Sequence, residues 1–208
     1  MLTNILSDFH TILEETGMPK GKKKVLLSAI KLFARQGYAG TSTAQIAGEA
    51  AVSQATIFKY FKTKEDLLLE ILSVITPILR DDFTERLATF SNLEDFVHFI
   101  VVDRSALIKA NKELFQILLQ EVLIQPRIQD RAKTIFTTLT ASVTGNLRRI
   151  GEQNANFDSE LPDSLLIRAF VGQLAPYFIQ HFILGCPIRN EKEELALIEK
   201  QILKLLCK

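Results

Sequence analysis

The chain has 208 residues, 47% of them hydrophobic, with a net charge of +1, which is enough apolar material for an ordered core in one large domain or in one small and one medium domain. Its longest apolar stretch, Phe96 to Val102, is interrupted by His98 and falls far short of the ~20 residues that cross a bilayer, so no membrane-spanning helix is expected. Cys186 and Cys207 stand in no metal-ligand spacing with His10, His98 and His181, and Met1 to Asp8 lack the pattern of a secretory signal; a cytoplasmic protein without metal or other cofactor is expected.

The charge is unevenly divided. Residues 20–68 hold nine Lys and Arg against three acids, a surplus of +6 that leaves −5 for the remainder. A compact basic segment beside an acidic remainder is the footprint of a protein that meets phosphate with one part. Apolar residues recur at steps of three and four nearly throughout, with no sustained alternation, so the predicted class is all-α. A short extra helix is expected over Leu2 to Glu15. After a lysine cluster at Lys20–Lys24, Val25, Leu26, Ala29, Ile30, Leu32 and Phe33 form an apolar stripe on a helix that Gly37 ends. Ser42 with Gln45 has capping-box spacing, Ser53 can cap the next helix, and Thr63 with Asp66 repeats the pattern. Three helix starts in so few residues imply short helices, and since isolated helices below ~12 residues are marginal, they must pack as one unit. A long connecting helix is predicted over 63–80, bent at Pro77. Further helices are predicted at about 93–109, 111–124, 127–150, 163–184 and 191–206, with Asn190 and Glu193 capping the last.

Within the basic segment, Ile46, Ala47 and Val52 are apolar where two short helices must touch, and small Ala50 and Ala51 fill the turn between them. The second helix then turns its other face outward. Ser53, Gln54, Ala55 and Thr56 occupy its first turn, the part of a recognition helix that meets base edges. The Gln54 amide can pair bidentately with adenine, while Ala55 and the Thr56 methyl can touch a thymine methyl. Thr43 and Ser53 can donate hydroxyls to phosphate at helix N-termini, with Lys59 and Tyr60 holding the backbone one turn later. Capping alone is the alternative for Ser42 and Ser53. Phe58 and Phe61 read as core residues, and Lys20–Lys24 as a phosphate-attracting arm, against the alternative of a solvated helix start.

From Gly37 to Ala47 and from Ala51 to Leu68 the chain closely resembles the DNA-binding signature of the TetR/AcrR family of transcriptional regulators, about a third of the chain once the preceding helix is included. The resemblance implies an N-terminal extension at 1–19, a three-helix helix-turn-helix DNA-binding domain at 20–67, and a ligand-sensing and dimerisation bundle at 68–208. Lys64 resembles the family's phosphate-contacting lysine. The resemblance also implies a homodimer on operator DNA, through the helices at about 163–184 and 191–206, whose apolar surface exceeds what one inner face needs, and a connecting helix that moves when a small-molecule effector binds. Two positions depart from the pattern. Ala51 stands where glycine is usual, at a cost of about 1 kcal/mol if its φ is positive, and Phe58 lacks the hydroxyl of the tyrosine often found there.

In the larger part, Arg104 and Glu121 interrupt apolar faces, and buried charges must be paired or bind something. They can pair with each other or anchor a ligand; Tyr177 is a further candidate, with His98 and His181 beside it. No nucleophile elbow, phosphate loop or metal cluster argues for an enzyme. The expected function is a repressor that a largely apolar effector releases from its operator. A ligand-independent adaptor that recruits a protein partner is the alternative, and an apolar cavity in the bundle would favour sensing.

Overall fold

The computed structural model describes residues 4–208; the opening of the helix expected from Leu2 lies outside them. Among the described residues there are ten α-helices and no strand: α1 (Ile5–Glu14), α2 (Lys20–Gln36), α3 (Thr43–Glu49), α4 (Gln54–Tyr60), α5 (Lys64–Leu87), α6 (Leu93–Ala110), α7 (Lys112–Ile124), α8 (Pro126–Gly151), α9 (Asp163–Phe178) and α10 (Glu191–Leu206). None is long and apolar enough to cross a membrane. The chain is all-α as its periodicity predicts, with α5 running through Pro77 to Leu87, beyond its expected end at 80.

The helices form two compact units, one of residues up to Leu79 with Ala110–Ile135, the other of Arg80–Lys109 with Phe136–Lys208. Packing therefore does not divide at 67/68. The segment around α7 returns to the first unit, where Leu114 and Ile117 are buried, α7 packs on α2, and the buried Asn111 side chain accepts from the Ile5 backbone N–H (2.7 Å).

In the first unit α2 is the spine. Its stripe, Val25, Leu26, Ala29, Ile30 and Phe33, is buried against α1, α3, α4 and α7. Both short helices start on the caps read from sequence. The Ser42 hydroxyl accepts from the Gln45 N–H (3.2 Å) while the Gln45 side chain accepts from the Ser42 N–H (2.8 Å), and the Ser53 hydroxyl accepts from the Thr56 N–H (3.2 Å). Thr63 and Asp66 cap α5 in the same reciprocal way, at 3.0 and 3.1 Å. Between α3 and α4 the chain turns through Ala51 at φ 52°, the left-handed conformation that a β-carbon disfavours. The turn survives because Ala51 N–H donates to Gly48 and Val52 N–H to Ala47, while Ala47 and Ile46 are buried beneath it.

The second unit is a bundle of α6, α9, α10 and the later part of α8 around Phe96, Val97, Leu147, Leu166, Phe170 and Ile202. The helix expected at 163–184 changes character: after Pro176, which cannot return an N–H to the preceding turn, Ile179–Ile183 widens into a π-helical turn.

Because glycine reaches positive φ without strain, Ala51→Gly should raise stability by about 1 kcal/mol. Urea denaturation measures it, and a less stable variant would contradict the strain at this turn.

Candidate nucleic-acid interface and cavity

The first turn of α4 is built to face outward. Ile57 is buried on α2's side and Phe61, one turn on, is 3% exposed. This inward stripe leaves Gln54 and Ala55 exposed, and among the described residues no hydrogen bond engages the Gln54 amide. Thr56 is half-buried, and its hydroxyl shares a 2.9 Å bond with that of Ser53, so both hydroxyls are joined locally as well as serving the cap. Thr43 lies half-buried at the start of α3. Lys59 is exposed with its ammonium 5.8 Å from the ring of half-buried Tyr60. Phe58, expected in the core, is 51% exposed. One residue past Ile57 it stands about 100° round the helix, on the outward face.

The lysines at 20–24 are not an arm. They open α2, and two of them are engaged within the unit: Lys22 pairs with Glu70 at 2.6 Å and lies over the Phe61 ring, while Lys23 is buried with its ammonium on the Glu14 carbonyl at 3.2 Å. Lys20 and Lys24 are exposed.

Lys64 differs from its expected role in a specific way. Its half-buried ammonium donates to the carbonyls of Tyr38 (2.6 Å) and Thr41 (3.0 Å) and sits 4.2 Å from the Tyr38 ring, which leaves one of three donors for phosphate. Burial pulls the Lys64 ammonium below its usual range, partly offset by nearby Glu121. A cation at a helix start opposes the dipole, and here two carbonyls and a ring offset that cost. Lys64 thereby joins α5 to the loop that leads into α3. Tyr38 is itself 6% exposed, packed on Phe33 with ring centroids 5.0 Å apart; burial raises its hydroxyl pKa, against a hydrogen bond from Gln125. Arg127 completes the arrangement with bonds to Glu65 (2.9 Å) and Asp66 (2.7 Å), and the Asp66 carboxyl is lowered chiefly by that arginine. Neither Tyr38 nor Arg127 stood out in the sequence, where nothing announces that 110–135 folds back onto the first unit.

Arg104 and Glu121 each have a hydrogen-bond partner within their own unit. Glu121 is 6% exposed and bonds the side chain of Gln125 four residues on in the same chain turn. Arg104 bonds its neighbour Asp103 through Nε at 2.9 Å and lies 3.8 Å over the Phe83 ring. It lines an apolar cavity of about 300 Å³ between α5, α6, α8 and α9 in the second unit. Tyr177 is elsewhere in that unit, 5% exposed, its ring 4.7 Å from His181 and its hydroxyl without a hydrogen-bond partner among the described residues; burial, with Glu191 and Glu194 adding, pushes it up to about 12. His181 is held by the Cys186 carbonyl and Glu194, both at 2.9 Å, and His98 by Glu199 at 3.0 Å. Among the described residues no cluster of His, Cys, Asp and Glu could hold a metal.

Two capped short helices on a buried spine, the second with a free first turn, define a helix-turn-helix protein. A model of the family described as "Bacterial regulatory proteins, tetR family" matches residues 25–71. The regulator QacR of Staphylococcus aureus is 42% identical over 53 residues, 26% of this chain and 28% of that protein. YvkB, an HTH-type transcriptional regulator of Bacillus subtilis, is 45% identical over 51 residues, and such alignments span about a quarter of the relatives' length, 27% for YvkB. In fold, a tetR-family regulator from Mesorhizobium loti superposes with a TM-score of 0.73 at 18% identity, covering 92% of this chain and 97% of that one. The Bacillus subtilis regulator FadR, solved with stearoyl-CoA, gives 0.70 at 17% identity over 88% of this chain and 96% of that one. Residues 25–71 of this chain thus carry the DNA-binding domain of the tetR family of bacterial regulatory proteins, its fold is that of such regulators, and the relatives it resembles are transcriptional regulators rather than enzymes.

Removing the Lys64 ammonium by Lys64→Met should cost about 1–3 kcal/mol of stability, the loss of charge-assisted bonds to two carbonyls; unchanged urea denaturation would contradict the tether. Tyr177→Phe, which removes an unpartnered buried hydroxyl, should leave stability at pH 7 equal or higher. In the unmodified chain the raised Tyr177 pKa contributes stability that is intact below the ordinary value of 10.0 and is lost as pH climbs from there towards about 12. A stability loss in this window that persists unchanged in Tyr177→Phe would assign it to other groups.

Proposed function

We infer that this chain is a DNA-binding transcriptional repressor that reads its operator through the first turn of α4 and releases it when a small, largely apolar effector fills the cavity of the second unit. The observation that carries this reading is the exposed, unengaged Gln54 amide at the head of a helix whose opposite face is locked down by Ile57. Ala55 and Thr56 beside it supply methyl contacts, and Thr43, Ser53, Lys59, Tyr60 and the remaining donor of Lys64 hold the phosphates.

The cavity favours sensing over the adaptor alternative. Proteins of this fold accommodate small molecules: FadR of Bacillus subtilis holds stearoyl-CoA, and a regulator from Saccharomonospora viridis, with a TM-score of 0.71, holds choline. Among the earlier candidates Arg104 borders the cavity, whereas Glu121 and Tyr177 do not and serve their own units. Two helices, α5 and α8, run from one unit into the other. α8 begins beside the Arg127 bonds to Glu65 and Asp66 and carries Leu139 and Val143 on the cavity wall, so an effector acts on the reading head through it as well as through the expected lever, α5.

Homodimerisation through α9 and α10 accounts for Leu165, Val171, Leu197 and Leu205, each 39–55% exposed on these helices. Two reading heads on one operator multiply a modest single-head affinity.

Gln54→Ala should weaken binding to fragments selected from a genomic library by about 1–3 kcal/mol, with little change on random duplex at the same salt. Fluorescence anisotropy measures both, and equal losses on the two would refute base reading by Gln54.

A further inference from the structure

The walls of the second unit's cavity are hydrocarbon: Ile100, Leu139, Val143, Phe170, Leu174 and Phe178 among them. Thr140 also borders it, but its hydroxyl donates to carbonyls of its own helix, Phe136 at 2.9 Å and Thr137 at 3.1 Å. Arg104 is the charged residue of the lining. Its Nε and Nη2 face Asp103, its plane rests on Phe83, and its Nη1 makes no bond among the described residues. Arg86 faces the same carboxylate at 3.4 Å, so two guanidinium groups share one buried acid. Asp82, which also acts on Arg104, is exposed, where water screens it. A cleft of about 800 Å³ between α8 and α9 adjoins the cavity and shares Phe136, Thr140, Ile167 and Val171 with it.

Resting on the effector reading above, we propose that the ligand is a monoanionic amphiphile: a hydrocarbon chain against the apolar walls, ending in a free carboxylate that accepts from Arg104 Nη1. The lining bounds the class from three sides. A cation would meet the like charge of Arg104, and a sugar or polyol would leave its hydroxyls unpaired against hydrocarbon. A bare hydrocarbon would leave the guanidinium edge unsatisfied. A carboxylate satisfies that edge with a charge-assisted bond, and each methylene buried behind it adds to affinity. The chain could come as the free acid or as a carrier thioester; the thioester lacks the anion at this end of the chain, and the geometry selects the free acid.

Calorimetric titration of the full chain with decanoate, hexanoate, decanol and decanoyl-CoA tests this. Decanol should bind about 10- to 100-fold more weakly than decanoate, the loss expected for one hydrogen bond to a charged group. Hexanoate should bind about fourfold more weakly per methylene removed. Arg104→Gln, which leaves Asp103 its bond to Arg86, should bring decanoate down to the level of decanol without changing decanol itself, and Arg104→Lys should restore part of the difference. Equal affinities of decanoate and decanol in the unmodified chain would overturn the proposal. So would a flat dependence on chain length, or decanoyl-CoA binding more tightly than decanoate and indifferently to Arg104→Gln. Anisotropy with selected DNA separates the two readings: operator bound but decanoate ignored sinks the ligand class alone, whereas decanoate bound with these ratios and no duplex bound sinks the regulator alone.

Discussion

Helices α3 and α4 have seven residues each, too short to hold themselves in water, so the reading head exists only where burial enforces it. Ile46 and Ala47 from α3, with Ile57 and Phe61 from α4 and its end, supply that burial against α2. Once these side chains face inward, helical geometry leaves Gln54, Ala55 and Phe58 facing out. The same constraint tolerates a left-handed alanine at the turn, since a different turn would withdraw Ala47 or Ile57 from the core. The exposed edge of α4 is therefore a by-product of packing: it is what remains after the core has been chosen.

Charge organises the rest of the first unit in a less obvious way. Its basic surplus suggests a surface that only attracts phosphate, yet Lys22, Lys23 and Lys64 have protein partners. Lys64 in particular makes the loop before α3 and the start of α5 into one piece. Arg127 adds the start of α8 to that piece through Glu65 and Asp66. The same helix carries Leu139 and Val143 of the cavity wall further along. At the cavity, Arg104 repeats the theme: its guanidinium bonds Asp103 and lies over the Phe83 ring while the residue borders the apolar lining.

Local physics was legible in the sequence. The caps at Ser42, Ser53, Thr63 and Asn190, the stop at Gly37, and the helices expected at about 93–109, 111–124, 127–150 and 191–206 depend on a few neighbouring residues and stand where their spacing put them. The positive φ at Ala51 was raised only as a condition, through the glycine usual at that place in the resembled family, and it is met. What failed was non-local. Phe58 is as apolar as Phe61, and only the seat of Ile57 decides which of them goes inside. Arg104 and Glu121 both sit on apolar stripes, but their partners are one and four residues away in sequence. The return of 110–135 to the first unit, and with it the roles of Tyr38 and Arg127, follows from α7 packing on α2, which no periodicity within either helix can reveal. The π-helical turn after Pro176 was masked by the unbroken apolar pattern around it.

The most direct measurement is equilibrium binding of the purified full chain to a pool of genomic duplex fragments at low salt, repeated as salt is raised. A head that presents Gln54 within a basic unit binds duplex DNA, retains a small set of fragments after the weak majority is lost, and shows log affinity falling linearly with log salt. Failure to retain any duplex at low ionic strength would contradict the assignment of this surface to DNA.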